Sequence, residues 1–288
     1  MISRFDHAVT AVHDLNEAIE RYRTLGFEVH LGGRHTGRGT HNALIRFGLD
    51  YIELLSVYDE DEAKANAATN ALPNFLAKHE GGLIGYALAT TAIQQEAERF
   101  RHSHHAAVGP FAMQRQRPDG HLLTWSLLVP YGIAWCQPWP FFIQWGIPDE
   151  QRLSWEKPGI HRNGVTGCKG IAIAVRNLER VVDLYQHQLG LELVRRDEVP
   201  VLASLRATFH VGSFQIDLLA PDNEGPVQHM LDTVGEMPFE LRLAVRDLEQ
   251  THAFFVQQNL SVQPDPADSA RIVLMPEQAL GTRLVFTV

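Results

Sequence analysis

Residues 5–29 read FDHAVTAVHDLNEAIERYRTLGFEV, and residues 169–194 read KGIAIAVRNLERVVDLYQHQLGLELV. Both open with an alternation of apolar residues suited to a strand, pass through Asp14-Leu15 or Asn177-Leu178, and close on Leu-Gly. An Asp or Asn at that handover caps a helix, because its side-chain oxygen accepts one of the unpaired amides of the first turn. Gly26 and Gly190 sit where the chain leaves the helix in the left-handed conformation that glycine adopts cheaply. The pattern predicts helices over 15–25 and 178–189. Two weaker copies share the frame: LIGYALATTAIQQEAERFRHS from Leu83, with its handover at Thr90 or Thr91, and FELRLAVRDLEQTHAFFVQQNLSV from Phe239, with Asp247-Leu248. Four units of roughly 70 to 85 residues, linkers included, fill the chain.

Three more strand-like runs follow each helix. They are Phe27–Leu31, Thr40–Phe47 and Tyr51–Val57 in the first unit, and Ala112–Arg117, His121–Val129 and Phe141–Trp145 in the second, where Pro118-Asp119-Gly120 signals a turn. In the third they are Glu192–Arg196, Ala203–Val211 and Phe214–Leu219, and in the fourth Ser261–Gln263, Ala270–Met275 and Arg283–Val288. Each unit therefore reads β-α-β-β-β, an α+β fold. A lone unit leaves one sheet face uncovered, so the units are expected in pairs, each pair a mixed half-barrel around a cavity. The first pair spans 1–146 (units 1–58 and 83–146) and the second 165–288 (units 165–221 and 238–288). Asp59–Asn70, rich in alanine and acids, reads as an exposed helix, Ile147–Lys169 as the boundary between halves, and Pro221–Pro238 as partly helical.

Of the 288 residues, 45% are apolar and 20% charged, a globular composition. The net charge of −9 argues against a broad nucleic-acid surface, although 21 of the 25 basic residues are arginine, which suits small local anion sites. No apolar run reaches the roughly 18 residues of a membrane span, and Met1–Val12 has no signal-peptide pattern; a cytoplasmic protein is expected. Cys136 and Cys168 are too few and too distant for a disulfide framework, and read as reduced apolar residues. Fifteen histidines are an excess that directs attention to acid–base or metal chemistry.

DHAVTAVHDL, GGRHTGRGTHNALIRFG, DYIELLS, RPDG and PFFIQWG, all within residues 5–146, resemble the glyoxalase-like group of the vicinal oxygen chelate superfamily. That superfamily includes glyoxalase I, extradiol dioxygenases, fosfomycin-resistance enzymes and bleomycin-binding proteins. The resemblance implies a small-molecule enzyme of the lyase or isomerase type, with a divalent ion (Zn, Mn, Ni or Fe) and no nucleotide cofactor. It places one metal ligand on the first strand of a unit and one, usually Glu, on the last. His7 and Glu53 occupy those places in the first unit; the second supplies Gly85 and Gln144, so the ligands are His7 and Glu53, with Gln144 as a neutral helper. Alternation puts Phe5, His7 and Val9 on one face, and Tyr51, Glu53 and Leu55 on one face. In the second half the matching residues are Gly170, Asp217, Glu240 and Val285. They lack the two histidines and one glutamate of an extradiol dioxygenase, and read best as a structural half.

Glu53 or His41 would move a proton. The stretch Gly32–Asn42 offers Arg34 and His35 to a substrate acid group, and either His41 or Asn42 must face the cavity where the loop enters its strand. Trp125 and the run Trp135, Trp139, Phe141, Phe142 and Trp145 would wall an aromatic pocket, with Asn42, Trp125 and Gln144 also contacting substrate. His102, His104 and His105 read as solvated. The competing reading is a metal-free protein that sequesters a planar compound between those tryptophans. The partner in either case is a small molecule, not nucleic acid or membrane, bound by a monomer or a homodimer.

Overall fold

The computed structural model describes residues 1–288 apart from Ala67, His104, Pro118 and Asp119. The expected turn at Pro118-Asp119 and the environment of His104 thus lie outside the described residues. The first unit comprises β1 (Ile2–Ala11), α1 (Leu15–Thr24), β2 (His30–His35), β3 (Thr40–Arg46) and β4 (Tyr51–Val57). Short helices α2 (Glu60–Ala65) and α3 (Ala71–Leu76) lead to β5 (Gly82–Thr90), α4 (Ile93–Arg101), β6 (Ala107–Gln116), β7 (Leu122–Pro130) and β8 (Phe141–Trp145). After α5 (Asp149–Trp155) come β9 (Val165–Ala174), α6 (Leu178–Asp183), β10 (Leu193–Val199), β11 (Ser204–Val211) and β12 (Phe214–Pro221). Helix α7 (Pro226–Thr233) precedes β13 (Met237–Val245), α8 (Leu248–Gln257), β14 (Val262–Asp265), β15 (Asp268–Leu274) and β16 (Arg283–Thr287).

These strands form two eight-stranded mixed sheets of identical order, β2-β3-β4-β1-β5-β8-β7-β6 and β10-β11-β12-β9-β13-β16-β15-β14. In each, the first and last strands of a unit run parallel, and two units join through an antiparallel pair, β1 with β5 and β9 with β13. The helices form where capping predicts. Asp14, Asn177 and Asp247 accept the amides of Glu17, Arg180 and Gln250 at 2.9 to 3.0 Å, worth about 1 kcal/mol each. Gly26 and Gly190 follow in the left-handed region, at φ +87° and +68°. The third-unit helix is α-helical only to Asp183 and continues as a wider π turn over Leu184–Gln188.

One continuous apolar core gathers the helices α1, α4, α6 and α8 with the sheet faces they cover, and it spans both halves. Phe5 stacks on Phe214 across it at 3.9 Å, and the Tyr86 and Tyr185 hydroxyls meet there. The opposite face of the first sheet carries a separate cluster, including Val9, Leu55, Ile84 and Phe141, into which α3 inserts Leu72, Phe75 and Leu76.

Three expectations change. The 59–70 segment is helical only over Glu60–Ala65, and α3, with no distinct signal in the sequence, follows it. The glycine-rich stretch is not an open loop: β2 runs through His35, and only the turn to β3 is irregular, with Gly37 and Gly39 at φ +73° and +64°. The boundary segment 147–169 is not bare linker: α5 buries Arg152, the residues after it include buried Glu156, His161 and Asn163, and from Val165 the chain already runs in β9 of the second sheet.

Candidate functional site

The face of the first sheet opposite the main core, which also carries α3, encloses a cavity. Its floor comes from the first unit, and a break in the strand alternation makes it. Phe5 pairs with Leu88 but His7 with Ala87, so Asp6 is an extra residue in β1. Such a bulge turns two consecutive side chains to one side. Phe5 and Ala8 consequently enter the helix-side core while Asp6 and His7 both serve the cavity. This corrects the expected face of Phe5, His7 and Val9.

His7 is held from three directions. Its Nδ1 lies 2.8 Å from Asp6 Oδ1, Tyr51 stacks on its ring at 4.5 Å, and Phe141 meets its edge at 5.4 Å. Burial alone would raise the Asp6 carboxyl, but Arg152, the His7 hydrogen bond and Arg4 outweigh it and hold it well below the usual carboxylate range. An ionised Asp6 only accepts, so Nδ1–H of His7 donates to it and Nε2 faces Glu53, whose Oε2 is 3.6 Å away. The other Glu53 oxygen accepts from Asn42 Nδ2 at 2.6 Å. Gly32 makes that amide possible: a Cβ there would lie 1.9 Å from Asn42 Oδ1.

Thr40, Asn42, Leu44 and Arg46 of β3 line the cavity, so Asn42, not His41, faces it. His41 is on the other side of the strand with its cross-strand neighbour Arg34, and both pack on Tyr58. That placement takes His41 and Arg34 away from the cavity. His35 does line it; its Nδ1 meets Thr40 Oγ1 at 2.9 Å and its Nε2 is 3.8 Å from Glu53 Oε1. Burial pushes the His35 ring toward its neutral form against the pull of Glu53, with Arg38 and Arg115 adding to the downward shift.

The second unit supplies the wall. Trp125, Trp135, Phe141 and Trp145 line the cavity, whereas Phe142 joins the helix-side core and Trp139 packs on Tyr131. Gln144 lies out of phase on β8: its Oε1 accepts the Ile93 amide at 2.8 Å, capping α4 where Ala92 has no side chain to do so. Glu53 pairs with Val9 of β1, and the equivalent pair in the second unit is Ala87 with Phe141, so Phe141 stands where Glu53 would be matched. Gly85, at the place matched to His7, is covered by Trp135, 3.0 Å from where a Cβ would be.

The far end is a buried charge network absent from the sequence reading. Glu156 accepts Arg46 at 2.6 Å, Arg152 at 3.1 Å, Arg117 at 3.2 Å and Arg115 at 3.3 Å. Arg152 also reaches Asp6 at 3.3 Å and lies 3.8 Å over the Trp145 ring. Asp6 in an apolar strand and Arg152 four residues before Glu156 were the available signals for these residues; nothing local marks Arg46 or Arg115.

A divalent ion would meet His7 Nε2 and Glu53 here, with His35 Nε2 set beyond the other Glu53 oxygen. The second unit offers Gly85 and Phe141, and among the described residues no group of three or more His, Cys, Asp or Glu is placed to hold an ion. The donor set falls short of the cage that the resemblance implied. The second sheet has closed the equivalent place, since Arg242 pairs with Asp217 at 2.8 Å and Arg283 with Glu240 at 2.8 Å. Gly170 leaves room for the Arg242 guanidinium. Away from this cavity, His105 bonds the Tyr131 hydroxyl and so is not simply solvated, while His102 is exposed. Cys136 and Cys168 are free thiols, that of Cys136 pushed up to about 12 by burial. Among the described residues no helix is long and apolar enough to cross a membrane.

Two solved structures share the whole architecture. A hypothetical protein from Staphylococcus aureus is 17% identical, with 98% of each chain covered and a TM-score of 0.69. A variant of 4-hydroxymandelate synthase from Streptomyces coelicolor is 14% identical, with 99% of this chain and 92% of that one covered and a TM-score of 0.69. At those identities the likeness establishes the vicinal oxygen chelate fold alone. No curated protein matches the sequence. A family model described as "Glyoxalase-like domain" matches residues 5–189, which takes in the whole cavity and its charge network, and the chain belongs to that glyoxalase-like family.

Proposed function

We propose that the protein is a small-molecule enzyme of the lyase or isomerase type, in which Glu53 and His7 transfer protons at the cavity floor without a metal. The observation that carries this reading is the buried pair itself, His7 Nε2 and Glu53 Oε2 at 3.6 Å with Asp6 behind the imidazole. Glu53 Oε2 takes a proton from a carbon next to a carbonyl. His7, protonated on Nε2 and stabilised by the Asp6 carboxylate, returns one to the neighbouring carbon or to a leaving oxygen. Asn42 fixes the Glu53 carboxylate, and the Trp125, Trp135 and Phe141 wall limits water around it.

Incubation of the protein with a panel of small α-hydroxy and α-keto acids in D2O tests this directly. Proton NMR should show protein-dependent exchange of an activated C–H, with the rate lowered at least about 100-fold in Glu53→Gln. Absence of exchange with every panel member, alongside tight binding of one, would favour the sequestration reading instead.

A further inference from the structure

We propose that the cavity selects a small planar acid, an aryl or otherwise unsaturated carboxylate, whose carboxylate is taken by Arg38 and Arg115. The inference rests on the acid–base reading for what happens to that acid, but its grounds are separate. Arg38 lines the cavity and is half-buried, yet the acceptor at its Nη2 is the neutral sulfur of Met113, at 3.2 Å. Among the described residues no carboxylate comes within ion-pair distance of it, and burial pushes its guanidinium pKa down. An ionised group kept from water without an anion is costly. Arg115 stands two residues from Met113 on the same face of β6 and lines the cavity with it. Its Nη2 shares one Glu156 oxygen with Arg46, and its Nε is buried with no hydrogen-bond partner among the described residues.

Facing these donors are the rings of Trp125, Trp135 and Phe141. Trp135 meets Phe141 edge to face at 5.3 Å, and its own Nε1–H is buried without an acceptor among the described residues. Flat walls favour a flat body, because ring faces make full contact only with a planar partner. A forked, planar pair of oxygens is also the shape that two guanidinium groups recognise. The carboxylate of such a ligand would supply the anion missing at Arg38, and its body would lie against the ring wall beside His7 and Glu53.

Titration of tryptophan fluorescence tests the proposal, since Trp125, Trp135 and Trp145 all line the cavity. The probes are benzoate and phenylacetate against their uncharged amides, benzamide and phenylacetamide. In the wild type the acids should bind at least tenfold more tightly than the amides. Arg38→Gln should abolish that preference while leaving amide affinity unchanged, and Arg38→Lys should restore part of it. Equal affinity for acids and amides, parallel losses for both in Arg38→Gln, or no binding of any probe would overturn the proposal. Glu53→Gln separates the two readings: acid binding kept in that variant, with no proton exchange in any form of the protein, removes the catalytic reading and leaves this one standing.

Discussion

Asn42 Nδ2 donates to Glu53 Oε1 at 2.6 Å, and the same amide is packed by its oxygen against Gly32. The carboxylate at the centre of the cavity is therefore aimed by a residue on the neighbouring strand, which in turn depends on a glycine two strands away. Asn42→Leu should keep the fold and lower turnover by roughly 10- to 100-fold, the range expected when a supporting hydrogen bond is lost. Gly32→Ala should reproduce that loss with the asparagine intact, and steady-state kinetics on both variants checks it.

Asp6→Asn removes the charge behind His7. The amide can accept from or donate to Nδ1, so the imidazole tautomer is no longer fixed, and turnover should fall by roughly 10²- to 10⁴-fold. Arg4 and Arg152 also lose a buried counter-charge, for which a cost of about 3 to 5 kcal/mol is typical. Because the folded-state ionisation of Asp6 lies below its ordinary 3.8, its stabilisation is complete above that value and fades below it. The gap in denaturation midpoint between wild type and variant should thus narrow as the pH falls from about 5 to about 2.5.

The second sheet should respond to substitution without touching the first cavity. A Cβ at Gly170 would come within 2.6 Å of the Gln215 carbonyl and 3.1 Å of Arg242 Cζ. Gly170→Ala should lower stability by about 1 to 3 kcal/mol, the usual cost of overpacking, with ligand binding in the first cavity unchanged. Urea unfolding with a parallel fluorescence titration separates the two effects.

His161 gives the fold a mild acid sensitivity. Its Nδ1 accepts the Glu28 amide at 3.1 Å, so Nε2–H donates to the Arg46 carbonyl at 3.0 Å and the ring is neutral. Burial, chiefly, pushes its ionisation below the ordinary 6.5. The unfolded chain therefore binds the proton first, and stability falls as the pH drops below about 6.5. His161→Gln should flatten that limb by up to about 1.4 kcal/mol per pH unit between about pH 6.5 and 5, as thermal unfolding across that range would reveal.

The repeat units and the Asp and Asn caps were legible because each rests on local chemistry. Asp14, Asn177 and Asp247 cap where their sequence places them, and Tyr51–Val57 and Phe141–Trp145 are strands at the expected bounds. Facing was harder to read. The bulge at Asp6 shifts the alternation by one residue, and without pairing partners nothing in FDHAV betrays it. Gln144 and Phe141 exchange roles for a similar reason, since matching two strands by sequence leaves their phase open. His41 and Asn42 were equivalent until the hairpin register was fixed. The Glu156 cluster draws on β3, β6 and α5, and long-range ion pairs of that sort leave no periodic trace.

Asp6, His7, Asn42 and Glu53 all come from the first unit, whereas the ring wall of Trp125, Trp135, Phe141 and Trp145 comes from the second. The proposed acid–base pair and the ring wall are thereby written on different stretches of the chain. Exchanging β7, β8 and the connection between them for those of a relative would change admission while leaving the proton-handling groups on their own strands. Diversification within such a family can then proceed by rewriting one unit at a time.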